Sequence, residues 1–341
     1  MDIRTYLKNN ILFLDGSMGT LLQQSGLKPG ELPERWNITH PDVVENIHKA
    51  YFDAGSNVVI TNTFGANSLK YDDKELEEVI SASVKIARKA SEKSEGKQEK
   101  FVALDIGPLG KLLKPFGDLD FEKAVEIFAK TVKIGAKCDV DLVFIETMND
   151  SYETKAALLA VKENCDLPVF VSNAYDENSK LMTGASPKAM VALCEQMGAD
   201  AVGANCSLGP KELESVVKEL LSYSSIPVLF KPNAGLPKSV DGKTVFDVTP
   251  VDFAKEVKKQ IENGVRIAGG CCGTTPEYIK MLTDSAKDVA VKPIEKKEKT
   301  IVTSYAKAVE FSSIPVLIGE RINPTGKKRF KQALVENDIE Y

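Results

Sequence analysis

The sequence predicts a (β/α)₈ barrel, as one α/β unit. Eight short apolar runs rich in Val, Ile, Leu and Phe alternate along the chain with eight amphipathic segments of helical length. The runs are apolar almost without interruption, which is typical of strands that are buried on both faces of a parallel sheet. An open, doubly wound sheet is the competing architecture for the same alternation.

The predicted strands end in polar or metal-binding residues. The strands are ILFLDG (11–16), NVVITNTF (57–64), FVALDIG (101–107), LVFIETM (142–148), PVFVSNAY (168–175), AVGANCS (201–207), PVLFKPN (227–233) and VRIAGG (265–270). Their ends carry Asp15, Asn62 with Thr63, Asp105, Glu146, Asn173, Cys206, Asn233 and the pair Cys271–Cys272. Barrel enzymes have their chemistry at the carboxyl ends of the strands. Any one of these residues is as readily a helix cap or loop residue, but together they predict a functional rim.

Amphipathic helices separate the strands. In residues 42–54 apolar side chains recur at three- and four-residue spacings, and Gly55 ends that helix. The remaining helices are predicted at 75–93, 121–138, 151–163, 187–198, 210–222, 250–263 and 276–288. Asp150 and Pro276 are residue types that commonly begin helices.

The composition changes after the barrel, which we predict to cover residues 1–288. The segment VKPIEKKEKTIVTS is rich in Lys and Glu, so residues 289–313 are predicted to be a linker. A strand-like run, IPVLIGERINPTG, follows at 314–326. We therefore expect residues 314–341 to be the truncated start of a second domain, and the chain to be a fragment of a longer protein.

Composition and charge exclude several classes of protein. With 43% hydrophobic and 27% charged residues, the chain is typical of a soluble globular protein. Its net charge of −5 disfavours a nucleic-acid-binding surface. Neither a membrane span nor a signal peptide is recognisable. We expect a cytoplasmic protein whose six cysteines are reduced.

Three of the cysteines predict a metal site. Cys206 ends the sixth predicted strand and Cys271–Cys272 end the eighth, so their thiols can converge at one rim of a closed barrel. The glycines around the cysteine pair allow backbone conformations that turn both thiols inward. Three thiolates suit zinc, whose catalytic sites use three protein ligands and leave one position open.

Other interpretations of the cysteines stay open. Free cysteines commonly behave as small buried hydrophobes, which is the interpretation we favour for Cys138, Cys165 and Cys194. A closed, four-ligand structural zinc site is a third possibility. However, no fourth cysteine lies at a predicted strand end, and both histidines, His40 and His48, fall early in the chain. Asn233, between the cysteine-bearing strands, is a candidate for the fourth zinc position or an ordinary turn residue.

The ligands suggest the chemistry. A thiol that coordinates zinc is deprotonated by the metal. Three cysteinates leave the zinc site with a formal charge of −1, which makes it a poor Lewis acid but a good holder of a sulfur nucleophile. The reactive species is therefore predicted to be a zinc-bound substrate thiolate, with no separate general base, and the reaction to be alkyl transfer to sulfur.

Two further strand ends suggest the substrate. The turn DGSMGT (15–20) offers Asp15 and backbone amides near Gly16 and Ser17 that can bind a carboxylate, although an ordinary tight turn explains it equally well. Glu146 can hold an ammonium group. Together with a thiol-binding metal, these groups describe a small α-amino acid thiol.

The motifs resemble a known family. DGSMGT, residues 31–67, GANCSLGP and GGCCGTTPE are similar to the homocysteine S-methyltransferase family over about residues 10–288. The resemblance implies a TIM barrel, zinc on the three cysteines, and homocysteine bound near Asp15, Gly16, Ser17 and Glu146. Tyr278 departs from the histidine expected after TTPE, but it lies beyond the metal ligands.

The tail suggests a branch of that family. IGERINPTGKKRFKQAL (318–334) resembles the opening of the pterin-binding module in the cobalamin-dependent methionine synthases. This resemblance implies that the methyl donor is methylcobalamin, carried by a module absent from this chain. The partners would be the cobalamin-binding and pterin-binding modules of the full-length protein.

Two alternatives remain. A standalone homocysteine S-methyltransferase would use a betaine or sulfonium donor. A non-enzymatic zinc-binding or redox-sensing protein would use the Cys271–Cys272 pair as its sensor, but redox sensors need exposed thiolates beside a resolving cysteine. The polar residues at the other strand ends would also then have no explanation.

Overall fold

Eight parallel strands form the centre of the molecule. The protein is described by a computed structural model that covers residues 2–240, 243–319 and 322–338. The barrel strands are β1 (Leu12–Phe13), β2 (Val58–Ile60), β3 (Phe101–Ile106), β4 (Leu142–Met148), β5 (Val169–Asn173), β6 (Ala201–Asn205), β7 (Val228–Lys231) and β10 (Ile267–Ala268). Each of these eight strands lies within a predicted run.

The strands close into a barrel. Their order is β1-β10-β7-β6-β5-β4-β3-β2, and a parallel bridge between Leu14 and Val58 joins the two ends. Neighbouring strands pair in parallel throughout, for example Leu12 with Ile267. The (β/α)₈ prediction is therefore confirmed, and the open doubly wound sheet is excluded.

Helices surround the barrel. The eight predicted helices correspond to α4 (Pro41–Asp53), α5 (Asp73–Lys93), α6 (Phe121–Ala136), α7 (Ser151–Asn164), α8 (Pro187–Gln196), α9 (Glu214–Tyr223), α10 (Pro250–Asn263) and α11 (Pro276–Ala286). Apolar periodicity does not predict α1 (Ile3–Asn9), α2 (Met18–Gln24), the 3₁₀ turn Pro33–Arg35, α3 (Trp36–Thr39) and α12 (Lys328–Glu336). Each of these is a short element of at most nine residues, and such lengths give little periodicity to detect.

The barrel interior determines which side chains reach the site. One core cluster fills the interior with alternate strand residues, among them Leu142 and Phe144 of β4 and Leu229 of β7. The intervening residues pack outward against the helices. Because side chains alternate along a strand, the next inward positions after these residues are Glu146 and Lys231.

The segment after the barrel differs from the prediction. Residues expected to form a linker contain an antiparallel hairpin of β11 (Thr300–Thr303) and β12 (Ala308–Phe311). The expected strand in 314–326 is wrong for its described residues, since 314–319 and 322–326 form no strand and Leu317 is 99% exposed. Residues 320–321 and 339–341 lie outside the described part of the chain.

A second short hairpin, β8 (Lys238–Val240) with β9 (Lys243–Val245), follows β7.

Among the helices of the described ranges, none has both the length and the apolar character of a membrane span.

Candidate metal and substrate site

Three cysteine sulfurs converge at the carboxyl end of the barrel. The Sγ atoms of Cys206, Cys271 and Cys272 all lie within 4.8 Å of one another. The Sγ atoms of Cys206 and Cys272 are 3.8 Å apart. Tetrahedral zinc with Zn–S bonds of about 2.3 Å holds its sulfurs about 3.8 Å apart, so this donor set fits zinc.

The end of β7 holds both cysteine loops in place. β7 lies between β6 and β10 in the sheet. The Cys206 amide donates to the carbonyl of Lys231 (3.2 Å), and the Cys271 amide donates to the carbonyl of Pro232 (2.8 Å). The Cys272 amide donates to the side-chain Oδ1 of Asn233 (3.1 Å). Sulfurs from two strands therefore meet because the strand between them supplies the hydrogen-bond acceptors.

The backbone at the cysteines needs special conformations. Cys206 has a φ of 60°, and Gly273 has a φ of 81°. A Cβ on Gly270 would lie 2.4 Å from the Oγ1 of Thr274, so this position has no room for a side chain. The glycines that flank the cysteine pair in the sequence are thus required by a tight turn.

The thiols stabilise a negative charge among themselves. Hydrogen bonds from the Cys271 and Cys272 thiols lower the pKa of the Cys206 thiol to about 3. The bond with Cys206 raises the pKa of Cys271 to about 11, and raises that of Cys272 as well. Such a cluster favours a cation in its centre. Cys138, Cys165 and Cys194 lie outside this cluster.

A cavity of about 360 Å³ opens beside the sulfurs. Its lining comes from the strand ends and from the loops after β1 and β2. The lining includes Asp15, Gly16, Ser17, Leu32, Glu34, Asn62, Phe64, Lys70, Asp105, Glu146, Thr147, Cys206, Lys231, Cys271 and Cys272.

Three carboxylates and one ammonium lie on the cavity floor. Asp15, Asp105, Glu146 and Lys231 are at most 7% exposed. The Nζ of Lys231 lies 3.2 Å from the Oε2 of Glu146 and 4.0 Å from the Oδ1 of Asp15. The Oδ1 atoms of Asp15 and Asp105 have no hydrogen-bond partner in the described part of the protein. The floor therefore offers acceptors to a cationic group of a ligand.

Burial shifts the ionisation of these groups. It raises the pKa of Asp15 to about 7 and raises the pKa of Asp105 well above its usual range. It also raises the pKa of Glu146, against the effect of Lys231. Burial alone would lower the pKa of Lys231, but the charges of Glu146, Cys271 and the two aspartates hold it well above its ordinary value.

Glu146 is presented by an irregular strand end. The register of β4 against β5 shifts between Ile145 and Met148, and Thr147 has a φ of 60°. Such bulges commonly re-aim side chains next to active sites. Asn205 of β6 supports this bulge: its Oδ1 accepts the Thr147 amide (2.8 Å) and its Nδ2 donates to the Oγ1 of Thr147 (2.7 Å).

The predicted residues of the first turn line the cavity. A Cβ on Gly16 would lie 2.8 Å from Thr274 and 2.9 Å from Tyr51, so only glycine fits there. The Oγ of Ser17 caps α2, and the backbone amide of Ser17 donates to the carbonyl of Thr274 (3.0 Å). The sequence predicts that the Ser17 amide can bind a substrate carboxylate. In the structure this amide already donates its hydrogen bond to Thr274 of the protein.

Other residues of the predicted rim support the fold. Asn173 faces the helices, where its Nδ2 donates to the Oγ1 of Thr154 (2.9 Å). Thr63 donates to the carbonyl of Asp105 (2.9 Å). Asn62 lines the cavity, but its Nδ2 is bonded to the carbonyl of Pro33 (2.8 Å). Neither Thr63 nor Asn173 is among the residues that line the cavity, and alternation along β5 turns Asn173 outward.

Lys231 and Asn205 lie at the site but are not predicted by the strand-end pattern, because that pattern places the end of the seventh strand at Asn233. Counting in steps of two from Leu229 places Lys231 inside the barrel, and the same count from Ala201 places Asn205 there. This alternation is the signal that identifies both residues.

Comparison with known proteins assigns the family. The model of the homocysteine S-methyltransferase family matches residues 12–286. The chain belongs to this family. The matched residues include the whole barrel, the three cysteines and the charged floor of the cavity.

Within the homocysteine S-methyltransferase family, the chain is similar to methionine synthases. It is 30% identical over 363 residues to that of Mycobacterium leprae (strain TN), covering 99% of this chain and 30% of the relative. It is 29% identical over 358 residues to that of Mycobacterium tuberculosis (strain ATCC 25618 / H37Rv), with the same coverage. The chain thus spans about 30% of the length of these relatives.

Solved structures share the fold. The homocysteine methyltransferase MmuM from Escherichia coli, in its metallated form, superposes with a TM-score of 0.70 at 22% sequence identity, covering 82% of this chain and 97% of that chain. Its apo form gives a TM-score of 0.65 at 23% identity, covering 81% and 96%.

Proposed function

We propose that this barrel binds one zinc ion through Cys206, Cys271 and Cys272 and prepares the thiol of homocysteine to accept a methyl group, forming methionine. The observation that carries the proposal is the position of the three sulfurs. They lie within 4.8 Å of one another, at the floor of a cavity in a homocysteine S-methyltransferase barrel. Zinc in this site would supply the acidity that converts an entering thiol to a thiolate at neutral pH.

Asn233 is our candidate for the fourth position before substrate arrives. Its Oδ1 accepts the Cys272 amide at 3.1 Å, and a carbonyl oxygen has a second lone pair that can be directed at a cation. A weak ligand of this type is easily displaced by a substrate sulfur. Asn233 also belongs to the strand end that holds both cysteine loops.

The charged floor suits the amino end of the substrate. We assign the homocysteine ammonium to Glu146 and Asp15, whose carboxylates line the cavity beside Cys271. Before the ligand enters, the positive charge of the Lys231 ammonium balances the negative charges of these carboxylates. The loop that contains Gly16 and Ser17 borders the same cavity and is our candidate for contact with the substrate carboxylate.

The methyl donor is proposed to be methylcobalamin, carried by a separate module and recharged through a pterin-binding module. Two observations support this: the similarity to methionine synthases, of which the chain spans about 30%, and the pterin-module-like sequence of the tail. A betaine or sulfonium donor is the alternative within the family.

The metal proposal is tested by zinc analysis of purified protein. We expect one zinc per chain, and its loss in Cys206→Ala, Cys271→Ala and Cys272→Ala. Cys138→Ala and Cys165→Ala are matched controls, since both thiols are half-buried and lie outside the cluster of three sulfurs. The Cys138 thiol donates to the carbonyl of Ile134 and the Oγ of Ser81, and the Cys165 thiol donates to the carbonyl of Val161. Full zinc occupancy in any one of the three ligand variants would contradict the three-cysteine site.

The donor is tested by supplying each candidate to the zinc-loaded chain with homocysteine and measuring methionine. We expect methylcobalamin to support turnover and betaine and S-methylmethionine to be inactive. Turnover with either small donor would favour a standalone methyltransferase instead. Absence of homocysteine binding altogether would leave only the zinc-binding alternative.

A further inference from the structure

A hairpin beyond the family-matching region folds back onto the barrel. The family match ends at residue 286, whereas β11 and β12 lie at Thr300–Thr303 and Ala308–Phe311. The turn between them carries Tyr305, whose ring is half-buried. This turn reaches the carboxyl rim of the barrel, at the loops that follow β3, β4 and β5.

Tyr305 joins the hairpin tip to the barrel. Its hydroxyl donates to the Oδ2 of Asp150, and the Oγ of Ser151 donates back to the carbonyl of Tyr305. Its ring lies 4.3 Å from the ring of Tyr152 and 5.5 Å from that of Phe116. One side chain therefore joins the first turn of α7 to the loop after β3.

The base of the hairpin is anchored independently. The Oε2 of Glu310 lies 2.7 Å from the Nζ of Lys188 on α8, and the Oε1 of Glu310 lies 3.6 Å from the Nζ of Lys299. Both lysine ammoniums lie over the ring of Tyr223 on α9, at 4.7 and 4.2 Å from its centroid. Loss of the tip contact alone would therefore leave the hairpin attached to the barrel.

Asp150 connects the tip to the cavity. It is 1% exposed, and its Oδ1 caps α7 by accepting the Glu153 amide (2.8 Å). Asp150 follows Thr147 by three residues, at the end of the bulge that presents Glu146. Thr147 has a φ of 60°, a conformation that is strained for a β-branched residue and persists only where its surroundings hold it.

The bulge is held from two sides. Asn205 binds Thr147 from β6, on the upstream side. Downstream, Asp150 fixes the start of α7, and Asp150 itself is held by Tyr305. Without the Tyr305 hydroxyl, a buried carboxylate oxygen loses its charge-assisted partner, and the downstream support of the bulge is weakened.

We propose that Tyr305 is a positioning residue for the homocysteine site, acting through Asp150 on the bulge that aims Glu146 at the substrate ammonium. This inference rests on the proposed function, since it concerns the same substrate. It means that the barrel site is completed by a segment outside the family-wide domain. The affinity for homocysteine then depends on the contacts between the β11–β12 hairpin and the barrel.

The test is Tyr305→Phe in the full chain, which removes one hydroxyl and keeps the ring contacts. We expect homocysteine to bind about 3- to 10-fold more weakly, the effect of one lost hydrogen bond, with one zinc per chain retained. Binding of 4-mercaptobutyrate, which lacks the amino group, should not change. Tyr6→Phe is the matched control, because the Tyr6 hydroxyl accepts a bond from Asn57 at the opposite end of the barrel (3.2 Å).

Amide hydrogen exchange provides a second measurement. The Glu153 amide should exchange faster in Tyr305→Phe than in wild type or Tyr6→Phe, because its acceptor Asp150 is less constrained. A Tyr305→Phe chain that binds homocysteine like wild type, or that weakens both thiols equally, overturns the positioning role alone. A wild-type chain that binds zinc but not homocysteine overturns the proposed function as well.

Discussion

The Nζ of Lys231 lies 3.2 Å from the Oε2 of Glu146, and both side chains are almost completely buried. The same ammonium is 4.0 Å from Asp15. Removing one partner of a buried pair leaves an uncompensated charge, which costs about 3–5 kcal/mol. We expect Lys231→Met to lower the free energy of unfolding by about that amount in urea denaturation.

The double variant Lys231→Met/Glu146→Gln serves as the control. It removes both charges of the pair, so it should recover part of the lost stability. A loss below about 1 kcal/mol in Lys231→Met would show that the ammonium does not compensate the carboxylates.

Glu146→Gln is expected to weaken homocysteine binding. A charge-assisted hydrogen bond to an ammonium is worth about 1.5–3 kcal/mol, so affinity should fall about 10- to 100-fold by calorimetry. Zinc content should stay the same, because Glu146 is not proposed as a ligand. With 4-mercaptobutyrate, wild type and variant should bind about equally. If the variant distinguishes the two thiols as well as wild type does, the ammonium has another partner.

Asn233→Ala is expected to weaken zinc binding about 10-fold in competition with a chelator, since the Cys272 amide loses its acceptor. Cobalt in place of zinc reports on the fourth ligand. The visible spectrum of the cobalt protein should differ between wild type and variant without homocysteine and coincide once homocysteine is bound. Identical spectra in the absence of homocysteine would reject Asn233 as the fourth ligand.

His48 is expected to make stability depend on pH. It is fully buried on α4, neither ring nitrogen has a partner among the described residues, and burial lowers its pKa to about 3. The unfolded chain has a histidine pKa of about 6.5, so it binds the proton more readily than the folded protein. The contribution of His48 to stability should therefore be full above about pH 6.5 and fall by about 1.4 kcal/mol per pH unit below it.

His48→Leu should remove this slope between pH 7 and pH 5 in urea titrations. His40→Gln is the matched control, because His40 is exposed at the start of the same helix. Should His48→Leu lose as much stability as wild type over that interval, other groups would account for the acid sensitivity.

The sequence by itself determined the barrel and the three cysteines that converge at its rim. Eight apolar runs with helices between them allow few compact arrangements, and each of the eight barrel strands lies within a predicted run. Because parallel strands direct their carboxyl ends to one rim, Cys206 and the Cys271–Cys272 pair could be brought together without knowing the packing. Local periodicity carries this information, since it follows from the burial of each strand and helix face.

Tertiary structure alone decided the contacts between distant segments. Lys231 is compensated by Glu146 and Asp15 because three different strands meet on the cavity floor, and no local pattern encodes their spacing. Tyr305 reaches Asp150 across 155 residues of sequence, from a segment whose Lys- and Glu-rich composition indicated only a linker. The apolar run at 314–326 has the composition of a strand, yet its described residues form no strand. A strand requires a partner for its backbone hydrogen bonds, and only the folded chain determines whether one is present.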